Sequence, residues 1–171
     1  MNRRIVFSIL VLLAALAAGC SRPDTDAGKL AAVYELYAGY TKDFPGVKSI
    51  EVAEARALWD RGEAVFVDAR PGNEREVSTL PGAVPQEEFL ADPGRFAGKT
   101  AVGYCTISYR SGKLAESLAA RGVPMLNLRG GILAWALEGN PVFGPDGKQV
   151  KALHVYGARW DYPPDGYISV Y

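Results

Sequence analysis

The segment Thr100-Ala101-Val102-Gly103-Tyr104-Cys105-Thr106-Ile107-Ser108-Tyr109-Arg110 decides the fold. Its first five residues are mostly apolar, the pattern of a strand buried on both faces within a parallel sheet. The run stops at Cys105. From Ser111 to Arg121, the spacing of Leu114, Ala115 and Leu118 predicts a helix with one inward face, and Gly122 ends it. A buried strand, a short loop and a helix form the first half of a βαβ unit, so the question becomes whether the flanking chain repeats it.

It does. Upstream, Ala64-Val65-Phe66-Val67-Asp68 is a second apolar run, ending on a carboxylate. Val47 to Ile50 reads as a short strand and Val52 to Arg61 as a helix with Ala55, Leu58 and Trp59 inward; Pro81-Gly82-Ala83-Val84-Pro85 reads as a turn and a stub of strand. Downstream, Pro124 to Leu128 is a strand, Gly130-Gly131 a turn and Ile132 to Leu137 a short helix closed by Gly139-Asn140-Pro141. Alternation of this kind predicts an α/β fold with a mainly parallel central sheet flanked by helices. Lys29 to Gly39 adds an N-terminal helix, with Leu30, Val33, Leu36 and Tyr37 on one face and Gly39 as its C-cap. Residues 144–171 place Tyr156, Trp160, Tyr162, Tyr167 and Tyr171 among Pro, Gly and Asp, which predicts an irregular aromatic extension packed across the domain.

Composition narrows the function. The 171 residues are 49% apolar, enough for one domain's core, and 19 basic side chains balance 19 acidic ones. That balance offers no basic stripe, so nucleic acid is not an expected partner. Two cysteines, Cys20 and Cys105, with a single His154 exclude a thiolate–imidazole zinc site, and neither a metal nor a cofactor is expected.

The cysteines differ in context. Arg3 and Arg4 precede an apolar stretch from Ile5 to Ala18 broken only by Ser8, and Gly19-Cys20 follows: the layout of a secretory signal. Leu16-Ala17-Ala18-Gly19-Cys20 resembles a bacterial lipobox, which implies cleavage after residue 19 and lipidation of Cys20. The organisation expected is a signal peptide over 1–19, a tether over 20–28, the helical segment over 29–45, the α/β domain over 46–143 and the extension over 144–171. Ser21 after the cysteine implies an outer-membrane, periplasm-facing location, with the membrane a partner through the lipid. Lipidation consumes the Cys20 sulfur and leaves Cys105 as the single thiol in an oxidising compartment.

Cys105 stands between a buried strand and a helix N-terminus, where backbone N–H groups and the helix dipole favour an anion, and the thiolate is the nucleophilic form. A curled loop would bring Thr106, Ile107, Ser108 and Tyr109 around it. Arg110 would close the bowl with a guanidinium fork for an anionic substrate, and the hydroxyls of Thr106, Ser108 and Tyr109 would add donors. A buried structural cysteine is the competing reading of Cys105 taken alone.

Val65-Phe66-Val67-Asp68-Ala69-Arg70, Glu74 and Leu80-Pro81-Gly82-Ala83 resemble the first half of a rhodanese domain. Tyr104-Cys105 through Arg110-Ser111-Gly112, then Leu128-Arg129-Gly130-Gly131-Ile132-Leu133-Ala134-Trp135, resemble its second half. The resemblance implies a single-domain sulfurtransferase in which Cys105 carries a persulfide. Asp68, Arg70 and Glu74 would brace the loop, with Gly130-Gly131 and Trp135 supporting it from below. The partners so implied are a small sulfur-containing anion such as thiosulfate as donor, and a thiol or cyanide as acceptor. The six residues from Cys105 to Arg110 match the short family loop, one residue shorter than in the related phosphatases and arsenate reductases. Ser78-Thr79-Leu80 stands where many members carry Gly-His-Ile. A non-catalytic binding module of the envelope is the alternative, with phosphatase or arsenate reductase behind it. His154 is read as a residue pinning the extension to the sheet, in preference to a general acid.

Overall fold

A computed structural model describes residues 22–171. The signal segment and Cys20 lie outside the described residues. Five parallel strands form the central sheet: β1 (Ser49–Ile50), β2 (Ala64–Asp68), β3 (Val84–Pro85), β4 (Thr100–Tyr104) and β5 (Leu126–Leu128), in the order β1-β5-β4-β2-β3. Every residue of β2 is buried because both its faces are covered. Phe66 together with Val102 and Tyr104 of β4 enters one core, while Val65, Val67 and Ala101 enter the other, as the two-residue period of a strand requires.

Helices cover both faces. On the first lie α1 (Asp26–Thr41), α2 (Val52–Asp60) and α6 (Gly131–Leu137), giving the larger core Val33, Val52, Ala55, Ile132, Leu133 and Trp135. On the second, Phe89 of α4 (Gln86–Ala91) and Ala115 and Leu118 of α5 (Tyr109–Ala119) pack on Val65 and Val67. A single turn, α3 (Gly72–Arg75), follows β2. Strand order reverses between β2 and β4, and ligands of open parallel sheets bind at the carboxyl ends of strands flanking such a reversal.

Several boundaries differ from the sequence reading. Helix α1 begins at Asp26, where the Thr25 hydroxyl accepts the Gly28 N–H, so the expected tether already contributes a cap and a first turn. It also runs through Gly39 to Thr41, because the tertiary contacts of Tyr37 and Tyr40 hold its last turn. Helix α5 begins two residues before Ser111, which puts Tyr109 and Arg110 on its first turn. The acidic start of α4 and the turn α3 were not read, although Pro85 before Glu87 and Glu88 is a helix-start signal.

The extension is mostly irregular but pinned by short ladders: β6 (Val142–Phe143) antiparallel to β7 (Gln149–Val150), and β8 (Ala152–His154) parallel to β9 (Ile168–Val170). Thr79 and Phe143 exchange two backbone hydrogen bonds of 2.8 and 2.9 Å, tying the extension to the chain before Leu80. The Trp160 indole N–H donates to Tyr40 Oη at 3.1 Å, tying it to α1. Among the described residues, no helix is long and apolar enough to cross a membrane.

Candidate active site

The loop after β4 rests on the turn into α6. Ile132 N–H donates to the Cys105 carbonyl at 3.0 Å, and Leu133 N–H to the Thr106 carbonyl at 3.3 Å. Such an approach needs a residue without Cβ. At Gly131, φ is +61° and an added Cβ would stand 2.3 Å from the Cys105 oxygen. Trp135, on the same helix, is fully buried in the larger core, its indole N–H on the Pro141 carbonyl at 2.8 Å and its ring edge-on to Phe66. Of the three residues expected to support the loop, Gly131 meets its backbone directly, whereas the close neighbours of Gly130 are Val33, Tyr34 and Ala134.

Asn127 fixes the loop from β5. Its amide donates to the Ser108 carbonyl at 2.9 Å and to Tyr37 Oη at 3.2 Å, and its oxygen accepts from Ser111 Oγ at 2.7 Å. Ser108 takes the left-handed conformation, φ 68°, immediately before α5, and its buried hydroxyl has no partner among the described residues. Ile107 is buried, whereas Tyr109 is partly exposed and stacks edge-on against Tyr40 and Phe44.

Two ion pairs stand behind the loop. Asp68 and Arg70 are both buried. Arg70 Nε and Nη2 donate to the two carboxylate oxygens at 2.9 and 2.7 Å, and Nη2 also reaches the Ser78 carbonyl at 2.6 Å. Tyr104, opposite Asp68 in the β2–β4 register, donates its hydroxyl to Asp68 at 2.5 Å and accepts from Leu80 N–H at 3.1 Å. Burial and the Asp68 charge push the Tyr104 hydroxyl well above its ordinary pKa, so it remains a donor.

The second pair joins Glu74, 2% exposed, to Arg110, whose Nη1 and Nη2 reach the two carboxylate oxygens at 2.5 and 2.8 Å. Thr106 Oγ1 lies 3.2 Å from both Glu74 and Arg110. Burial pushes the Glu74 carboxyl up, but the hydrogen bonds and charge of Arg110, helped by Arg70, outweigh it and hold the group below the ordinary carboxylate range. Burial likewise disfavours the Arg110 cation, but Glu74 and the Cys105 sulfur more than offset it, and its pKa is raised. The fork expected to receive a substrate anion is therefore occupied by Glu74. About a third of the Arg110 side chain, 31%, stays exposed beside Cys105.

The Cys105 thiol is free and 2% exposed, at the floor of a cleft of about 390 Å³. Its walls include Tyr40 of α1, Tyr109 of α5, and Tyr156, Arg159 and Trp160 of the extension. Tyr156 is in the left-handed conformation, φ 67°, with its ring 5.1 Å from the Arg110 guanidinium and edge-on to Trp160. Its N–H donates to His154 Nδ1 at 3.2 Å, a local contact within the extension rather than a tie from the extension to the central sheet. Among the described residues, no group of three or more His, Cys, Asp or Glu side chains is placed to hold a metal ion.

Comparison with known proteins shows the family. The family model described as Rhodanese-like domain matches residues 51–138. The chain belongs to the rhodanese-like family. At family level, that places it with the sulfurtransferases. A curated sulfurtransferase of Allochromatium vinosum is 33% identical over 98 residues, covering 54% of this chain and 91% of that protein. Two crystal structures share the rhodanese-like fold at TM-score 0.50 and 22% identity. One, a Bacillus halodurans protein, aligns over 64% of this chain and 85% of its own. The other, a thiosulfate sulfurtransferase of Pseudomonas aeruginosa, aligns over 73% of this chain and 24% of its own. The rhodanese-like match ends before Tyr156, Arg159 and Trp160 and begins after Tyr40, so part of the cleft wall comes from outside the family segment.

Sequence reading missed Asn127, Tyr104 and Tyr40 as parts of this assembly. Asn127 had a readable signal, a lone amide inside the apolar strand Leu126–Leu128. Tyr40 had none, because its place depends on how α1 docks.

Proposed function

We propose that this rhodanese-like protein transfers sulfane sulfur through a persulfide on Cys105. The observation that carries the reading is the free Cys105 thiol at a strand end, beneath a cleft and beside an arginine whose charge is balanced by a buried carboxylate. In the first half-reaction the Cys105 thiolate attacks the outer sulfur of a donor such as thiosulfate. The donor's S–S bond breaks and sulfite leaves with the electron pair, while the Cys105 S–S bond forms. Thr106 and the exposed edge of Arg110 line the cleft with Cys105 and are the polar and charged side chains of the loop available to stabilise the terminal sulfur. In the second half-reaction a thiolate or cyanide removes that sulfur and regenerates the Cys105 thiolate.

The N-terminal sequence supports a lipid anchor at Cys20 and an outer-membrane, periplasm-facing location. Metabolic labelling with a fatty acid tests this: label is expected in the wild type and absent from Cys20→Ala.

Intact-mass measurement after incubation with thiosulfate tests the transfer. The expected result is a gain of one sulfur atom, released by cyanide and absent in Cys105→Ser. No adduct with thiosulfate or with inorganic polysulfide would overturn the reading.

A further inference from the structure

The cleft over Cys105 is larger than a small inorganic donor needs. Its volume of about 390 Å³ lies in the range of pockets that enclose organic molecules. Its walls are largely aromatic, from Tyr40, Tyr109, Tyr156 and Trp160. The guanidinium nearest the sulfur is occupied by Glu74. A different cation stands on the wall: Arg159, exposed, packed 5.7 Å from the Trp160 ring and in no ion pair among the described residues. An aromatic slot with a neutralised floor and an open cation on its wall selects a ligand with an apolar body and an anionic group away from its sulfur.

We propose that the sulfur acceptor is a small organic thiol with an apolar stem and a distal carboxylate or sulfonate, and that Arg159 reads the anion. The proposal rests on the persulfide reading above and names the substrate class of that same site. The acceptor thiolate attacks the outer sulfur of the Cys105 persulfide. The Cys105 S–S bond breaks, its electron pair returns to Cys105 as thiolate, and the acceptor leaves as an organic persulfide. Tyr156 and Trp160 flank the stem, so the C-terminal extension sets the specificity of a site whose nucleophile belongs to the shared domain.

The test uses protein preloaded with inorganic polysulfide and follows discharge to 4-mercaptobenzoate and to its neutral counterpart 4-mercaptobenzamide. The ratio of their kcat/KM values is compared between wild type and Arg159→Gln, which cancels the intrinsic difference between the thiols. Loss of one charge-assisted contact is expected to lower the ratio about tenfold, through KM, with Arg159→Lys retaining part of it. An unchanged ratio would overturn the proposal. Calorimetric titration with 4-(methylthio)benzoate, which has no transferable sulfur, separates the two readings. Binding that weakens in Arg159→Gln supports the slot even if Cys105 never loads, whereas no binding to wild type overturns it whatever Cys105 does.

Discussion

Glu74 and Arg110 form a two-point ion pair in which the acid is buried and the base remains partly exposed, with the Cys105 sulfur as the base's other neighbour. The carboxylate thereby fixes the direction of the guanidinium and cancels most of its charge. The turn α3 carries that carboxylate, and Glu74 is its buried residue.

Glu74→Gln keeps the shape and removes the charge. Because Arg110 is partly solvated, the stability loss is expected to be about 2 kcal/mol, below that of a wholly buried pair. Glu74 is held below the ordinary carboxylate range, so the unfolded chain takes up its proton first as pH falls. Its contribution is complete above the ordinary carboxylate pKa and disappears as pH drops through the depressed folded value. Urea midpoints measured across the acid range should fall less steeply for Glu74→Gln than for wild type. Parallel curves would contradict this.

Asp68 and Arg70 are more deeply committed, since neither is exposed. Removing one partner, as in Arg70→Met, leaves an uncompensated buried carboxylate and should destabilise by about 3–5 kcal/mol. The double variant Asp68→Leu/Arg70→Met should lose clearly less than the sum of the two single losses. A double-mutant cycle by denaturant unfolding measures that difference.

The two glycines Gly131 and Gly39 should respond in opposite directions. Gly131→Ala drives a methyl into the Cys105 carbonyl at a backbone angle L-residues rarely adopt, and is expected to cost upwards of ~2 kcal/mol and abolish persulfide loading. Gly39 sits within α1 with open space around it, so Gly39→Ala should stabilise by about 0.5–1 kcal/mol. Thermal or denaturant unfolding reads both signs, and intact mass reads the loading.

His154 acts through a single acceptor atom. The Tyr156 N–H on Nδ1 requires that nitrogen to be unprotonated, and an asparagine side-chain oxygen can take its place. His154→Leu should speed hydrogen exchange at the Tyr156 amide roughly fivefold, the worth of one net hydrogen bond, while His154→Asn stays close to wild type. Equal protection in all three proteins would show that the His154 contact contributes nothing to holding the Tyr156 backbone.

The sequence alone determined the α/β class, the bounds of β2 and β4, and the place of Cys105 at a strand end. Those features follow from local signals: an unbroken apolar run needs burial on both faces, and glycines such as Gly62 and Gly122 stop helices wherever they are packed. The second copy of the βα pattern also placed Asp68 at the end of a buried strand and Arg70 just beyond it. Tertiary structure decided how these pieces meet. Glu74 lies 36 residues from Arg110, and nothing local says that the acid will occupy the guanidinium fork. Tyr40 and Arg159 are farther apart still, yet both line the cleft over Cys105. Charges and rings far apart in the chain become neighbours only when the sheet order brings β2 beside β4 and the extension folds back along α1. The nucleophile was therefore legible in the sequence, while the wall that surrounds it was not.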